Sequence, residues 1–249
     1  MAKYRNTITI LLFCFSLTLF SFLCVMLKAA PDRLIGAAFC HQIPSRSPVF
    51  NFPFCYRCSG LFFGIFTGSL LTLCTKSDGK IITKHLSAGI IISFLLYIMD
   101  ILNSSKFPGI HLYTEKVLYR FLSAYPIGFF TASLITGILK KILNLENRGF
   151  EVSNRIKILT FIITWILSSA IITGNQFFLY SISRILLSIT CILFLSFLYT
   201  ILIQCIVLLR NRSLSFTESV ISGISLGLLH ISLLGYIHLH FFRFEDIFL

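Results

Sequence analysis

Two cysteines, Cys55 and Cys58, stand three residues apart at the predicted start of an apolar helix. That spacing places both sulfurs on one face of a helix. The N–H groups of the first turn and the helix dipole stabilise negative charge there, which favours the thiolate forms. Two chemistries use such a pair. In metal ligation the two thiolates form half of a tetrahedral site, and in thiol–disulfide exchange one thiolate attacks and the other resolves.

Cys40 and His41 precede this pair and can complete a metal site. Neighbouring residues of an extended strand point in opposite directions, so both can bind one metal only through a turn. Zn²⁺ is the expected metal. Its expected ligands are Cys55, Cys58, Cys40 and either His41 or Asp100. A redox pair and a structural disulfide from Cys40 to one of the other two cysteines remain open as alternatives.

Three arginines accompany these groups: Arg46, Arg57 and Arg120. They can pair with Asp100 or bind an anion such as a lipid phosphate. An aspartate near the membrane interior usually has a partner, and Arg120 or a metal is the expected one. A transporter of a small anion or lipid headgroup is therefore a third functional hypothesis, although the chain shows no clear inverted repeat.

The composition indicates a membrane protein. The chain has 249 residues, of which 56% are hydrophobic and 12% charged, whereas a soluble domain has about 25% charged residues. Apolar runs long enough to cross a bilayer recur along the chain, and they do not alternate as strands of a barrel would. The sequence therefore predicts an all-α, polytopic bundle of about seven transmembrane helices in a lipid bilayer.

The apolar runs give approximate bounds for the seven helices. These are 8–27, 54–74, 86–102, 117–139, 158–173, 185–209 and 217–236. Pro31 is expected to end the first helix. His238 and His240 are expected to lie in a solvated tail after the last one, and His230 to be a hydrogen-bonded packing residue.

A charged connection from Lys140 to Lys157 predicts two regions. Residues 1–140 form a four-helix membrane region that carries the cysteine motif, and residues 141–249 form a three-helix extension. In the first region Gly60, Gly64 and Gly68 recur every four residues. This spacing is typical of membrane helices that approach closely, and it predicts tight packing of the second helix.

The net charge of +12 is carried by short loops. The positive-inside rule and anionic lipids explain it better than nucleic acid, because no basic stripe is present. Apart from the arginines of the candidate site, lysine and arginine are more numerous in loops that share a side with the N-terminus. We therefore expect a bacterial inner-membrane protein with a cytoplasmic N-terminus and the motif on the outer side. Two predicted spans separate the motif from Asp100 and Arg120. The motif and these two residues therefore face one compartment, whichever way the protein is oriented.

The other five cysteines lie singly in apolar runs, where free cysteine behaves as a small hydrophobic residue. We interpret them all as packing residues: Cys14, Cys24, Cys74, Cys191 and Cys205.

The stretch from residue 40 to residue 64 carries a dense pattern. Its elements are Cys40-His41, Pro44, Arg46-Ser47, Cys55-x-Arg57-Cys58-x-Gly60 and Gly64. The pattern resembles the CHxxPxRS and CxRCxGxxxG signature of the DUF2085 family of predicted membrane proteins. The resemblance covers about residues 30–140, with Asp100 and Arg120 near two further family positions. It implies a multi-pass membrane protein whose two cysteine elements act together, and it leaves open whether the protein is an enzyme.

Overall fold

The structure is a computed structural model that describes residues 2–40, 54–76, 84–104, 117–142, 145, 149–173, 177–209 and 215–241. Within these ranges the chain forms eight α-helices. They are α1 (Ala2–Met26), α2 (Pro31–Phe39), α3 (Tyr56–Cys74), α4 (Lys84–Ser104), α5 (Val117–Ile142), α6 (Asn154–Thr173), α7 (Phe177–Leu209) and α8 (Phe216–Phe241). All but α2 are long and apolar enough to cross a membrane. The prediction of an all-α membrane protein with about seven spans is confirmed.

The short helix α2 was not expected from the sequence. The first helix ends at Met26, where Lys28 adopts a φ of 48° and the N–H groups of Lys28 and Ala29 donate to carbonyls of the last turn. Pro31 then begins α2 instead of ending α1. A proline suits the first position of a helix, because the N–H that it lacks has no partner there.

Helix α8 is longer than the sequence indicated. It begins with a capping box, in which Glu218 accepts from the N–H and the hydroxyl of Ser215 at 2.9 and 2.8 Å. It continues to Phe241, so the expected solvated tail at His238 and His240 is wrong. The apolar pattern runs on between the two histidines and keeps them in the last helical turn.

One compact unit comprises Ser45–Leu187. In it α5 packs against α3, α4 and α6. Glycines of α3 lie on the backbone of α5, where an added Cβ would meet a carbonyl oxygen at 2.1–2.5 Å. The facing pairs are Gly60 with Phe121, Gly64 with Tyr125 and Gly68 with Phe129. This confirms the close packing predicted for α3. Because both sets advance by four, the two helices run in the same direction.

A hydroxyl network joins three helices of the same unit. The Tyr125 hydroxyl lies 2.7 Å from the Thr67 hydroxyl of α3 and 2.8 Å from that of Thr164 on α6. Tyr125 itself is fully buried. Hydroxyl groups in a membrane bundle need such partners, because lipid offers none.

A buried lysine closes the far end of α3. The ammonium of Lys140 donates to the carbonyls of Thr72, Leu73 and Thr75 at 3.2, 3.4 and 2.7 Å. The last carbonyls of a helix have no partner within it and carry partial negative charge, so an ammonium stabilises that end. Lys140 is 2% exposed, although the sequence had placed it in a charged loop.

The second unit comprises Met1–Pro44 and Ser188–Leu249. In it α8 packs against α1 and α2. Polar and small residues of α7 and α8 also meet, with Gln204 donating to the Ser219 hydroxyl at 2.6 Å and Gly223 lying against Thr200. The expected hydrogen bond of His230 is confirmed, since its Nδ1 lies 2.7 Å from the Tyr199 hydroxyl. The division predicted at residue 140 stays a prediction.

Candidate metal centre

The first turn of α3 is built around its two cysteines. Cys55 is the N-cap residue, with extended backbone angles of −70° and 165°, and its sulfur accepts from the N–H of Cys58 at 3.5 Å. The first N–H groups of a helix lack carbonyl partners, and the sulfur occupies the place that serine or aspartate usually takes. Both thiols therefore lie at the positive end of the helix dipole, as the spacing predicted.

Three sulfur atoms come together at this turn. Among the described residues, the Sγ atoms of Cys40, Cys55 and Cys58 all lie within 4.8 Å of one another, a group that can hold a metal ion. Sulfurs bound to one Zn²⁺ at about 2.3 Å in a tetrahedron lie about 3.8 Å apart. Three thiols are a donor set that suits a thiophilic metal.

None of the eight cysteines is joined in a disulfide in the structure. The structural disulfide from Cys40 is therefore not formed here. Cys40 is 3% exposed and Cys55 and Cys58 are half-buried.

An ion pair links the motif to α4. The Nε and Nη2 atoms of Arg57 donate to the Asp100 carboxylate at 2.8 and 2.5 Å, and Nη2 also lies 3.4 Å from the Asp100 carbonyl. Asp100 is 2% exposed, so its charge is held by partners rather than by solvent. Arg57 was one of three arginines that could pair with Asp100, but Arg120 or a metal was the expected partner. In the structure Arg57 pairs with Asp100. The count of spans had predicted that Arg57 and Asp100 face the same compartment, but it did not predict that they pair.

Tyr97 is a further neighbour that sequence reasoning missed. Its ring lies beneath the Arg57 guanidinium, with 5.9 Å between Cζ and the ring centroid. The only available signal was its position three residues before Asp100, which puts the two on one face of α4.

Arg120 lies on α5 next to Phe121, whose backbone touches Gly60 of α3. It is 8% exposed. The contact of Gly60 with Phe121 thus places the backbone of Arg120 beside the turn of α3 that follows Cys58. This is the end of the helices at which the sequence predicted Arg120 to lie. Two predicted site residues, His41 and Arg46, lie outside the described residues.

His238 has a role that the sequence did not reveal. Its Nδ1 hydrogen-bonds the carbonyl of Ala37, in the last turn of α2. That turn ends at Cys40, whose N–H donates to the Gly36 carbonyl at 2.8 Å. Histidine at a helix end can satisfy the carbonyls that the helix leaves open. His238 therefore supports the turn that presents Cys40.

No curated protein and no solved structure matches this chain. A family match does exist, and it begins at the first cysteine of the site. It covers all three clustered cysteines, Arg57, Asp100 and Arg120, and it ends within α5. Residues 40–135 match the model of DUF2085, a family described as predicted membrane proteins.

Proposed function

We propose that the protein is an integral membrane metal-binding protein. Its site binds a transition metal, most simply Zn²⁺, through the thiolates of Cys55 and Cys58 together with Cys40 or His41. The observation that supports this proposal is that the thiols of Cys40, Cys55 and Cys58 form a group that can hold a metal ion. Thiolates are the donors that zinc prefers, and it binds them at about 2.3 Å.

The charged residues around the thiols support the site. Arg57 and Asp100 compensate each other, so they fix the first turn of α3 without adding net charge. A metal with three thiolates would carry one negative charge. Arg120, and Arg46 beyond the described residues, supply positive charge that can balance it or attract an anion.

The proposal places this site at the outer edge of a bacterial inner membrane, with the N-terminus in the cytoplasm. The basic loops that share a side with the N-terminus support this orientation. Fusion of a periplasm-active reporter after Ser47, before α3 begins, and separately after residue 76, tests it. Activity of the second fusion alone would reverse the orientation.

Metal analysis of the purified full-length protein tests the function. We expect about one zinc per chain in the wild type, as one tetrahedral site requires, and loss of that zinc in Cys55→Ala/Cys58→Ala. The matched control is Cys74→Ala/Cys205→Ala, which removes two exposed thiols elsewhere and should keep the metal.

Equal, negligible metal in all three proteins would overturn the proposal. The first turn of α3 also has the geometry of a redox pair, with Cys58 N–H on the Cys55 sulfur. If alkylation of metal-free protein from cells shows a disulfide between Cys55 and Cys58, the site is a thiol–disulfide exchange centre instead.

A further inference from the structure

Phe150 has an exposed ring on a firmly held backbone. Its N–H donates to the Cys74 carbonyl at 2.8 Å, and its own carbonyl accepts from the N–H of Lys76 at 2.9 Å. The residue before it, Gly149, has a φ of 120° and lies so close to α3 that an added Cβ would meet the Cys74 carbonyl oxygen at 2.7 Å. These contacts fix the backbone and leave Phe150 76% exposed.

The ring of Phe150 lies at the boundary between two candidate membrane spans and the adjoining water. Cys74 is the last residue of the span in α3, and the span in α6 begins shortly after Phe150, at Asn154. An apolar ring at this level leaves water when it enters the lipid, and that transfer is favourable. We therefore expect lipid to cover the ring.

Three basic residues lie at the same end of this compact unit, and we call them the basic corner: Lys141, Arg155 and Lys157. Lys141 follows Lys140, whose ammonium donates to the Thr75 carbonyl at 2.7 Å. Arg155 and Lys157 belong to the first turn of α6, directly after the bridged segment. Among the described residues none of the three has an ion-pair partner, and Lys141 and Arg155 are exposed.

The charge at this end is positive. Glu151, the acidic residue beside the ring, is paired with Lys76 at 2.8 Å, so it leaves the basic corner uncompensated. Basic residues at a bilayer surface attract anionic lipids, and an adjacent apolar group adds to the binding.

We propose that Phe150 and the basic corner form a docking surface for anionic phospholipid. The ring enters the layer of lipid chains, and the three cations contact the headgroup phosphates. The surface lies at the end of α3 opposite to the thiols of Cys55 and Cys58, and it is independent of the metal proposal.

Full-length protein in nanodiscs of mixed phosphatidylcholine and phosphatidylglycerol tests the inference. Trp165 is the single tryptophan, so Trp165→Phe gives a background in which Phe150→Trp introduces one fluorescent indole. Brominated lipid quenches an indole that it touches. With one lipid brominated at a time and equal mole fractions, quenching should show phosphatidylglycerol enriched at the indole by about fivefold or more, since one basic residue near an anionic surface supplies that factor.

Removal of the three cations tests their role. In the same background, Lys141→Gln/Arg155→Gln/Lys157→Gln should make quenching by the two lipids equal. The matched control is Lys76→Gln/Glu151→Gln, which removes a cation and an anion of the same end and leaves its net charge unchanged. It should keep the preference for phosphatidylglycerol.

Equal quenching by the two lipids before any cation is removed would overturn the selection of anionic lipid. An indole that neither lipid quenches would mean that water or a protein partner covers position 150, and would overturn the docking. A preference that survives removal of all three cations would overturn the role of the basic corner. Added inorganic phosphate should leave the preference unchanged, and its loss would assign the corner to a soluble anion instead.

Discussion

Two helix contacts of this protein use small residues in different ways. Where α3 meets α5, glycine faces backbone directly, and a Cβ on Gly64 would lie 2.1 Å from the Tyr125 carbonyl oxygen. Where α7 meets α8, only one glycine is that close: a Cβ on Gly223 would lie 2.7 Å from the Ser196 carbonyl oxygen, whereas Gly227 follows one turn later. There a Cβ on Gly227 would lie 3.3 Å or more from every neighbouring atom.

The difference separates a contact that is close along three successive turns from one that is close at a single glycine. A backbone-on-backbone contact has no side chain that can rotate away, so it determines the distance and the register of the two helices. It also places the first turn of α3, with its thiols, next to α5. The contact of α7 with α8 is close at Gly223 and has ordinary spacing at Gly227, so only its Gly227 end has room for an added methyl group.

The largest expected effect comes from adding one methyl group to each contact. Gly64→Ala should lower the free energy of unfolding by at least about 3 kcal/mol, because backbone must move to make room. Gly227→Ala should change it by less than about 1 kcal/mol, since the space exists and alanine favours helix. Denaturant unfolding in detergent measures both. Equal losses would remove the distinction between the two contacts.

An intermediate effect is expected at the ion pair that links α3 to α4. Asp100→Asn leaves the Arg57 guanidinium half-buried without its carboxylate, and should cost about 3 kcal/mol. Glu151→Gln breaks the exposed pair with Lys76 and serves as the control, with no measurable change expected. Arg57→Met/Asp100→Leu should recover part of the loss. If Asp100→Asn is as stable as the control, the pair does not hold α3 to α4.

The smallest effect is expected where α7 meets α8. Thr200→Val removes a hydroxyl that donates within α7 to the Ser196 carbonyl at 2.7 Å and lies 3.5 Å from the Ser219 carbonyl oxygen of α8. It should cost about 0.6 kcal/mol, the average found for a hydrogen bond between membrane helices. The same unfolding assay measures it. A loss above about 2 kcal/mol would show that α7 and α8 are held as rigidly as α3 and α5.

Local patterns in the sequence predicted much of this arrangement. The spans follow from run length, the tight face of α3 follows from Gly60, Gly64 and Gly68, and the thiol pair follows from its place at a helix start. Each of these signals lies within one helix and repeats with the helical period. The resemblance to DUF2085 likewise follows from a local motif. The side of the membrane on which Asp100 and Arg120 lie follows from the count of spans.

Other features depend on which helices meet, and a single sequence does not determine that. The count of spans gave the side of the membrane for Asp100 but could not choose Arg57 as its partner. Lys140 looked like loop charge, because nothing local shows that the end of α3 lies beside it. Helix α2 is only nine residues long, and its polar start at Asp32 and Arg33 hid its buried face.

Helix α3 has a pole at each end, and the ammonium of Lys140 contacts one of them. The helix has 19 residues and is about 28 Å long at 1.5 Å per residue. Its aligned peptide dipoles present a positive pole to the thiols and a negative pole to Lys140. Negative charge on the sulfurs would be stabilised by the positive pole at one end of α3, and the ammonium of Lys140 is stabilised by the negative pole at the other.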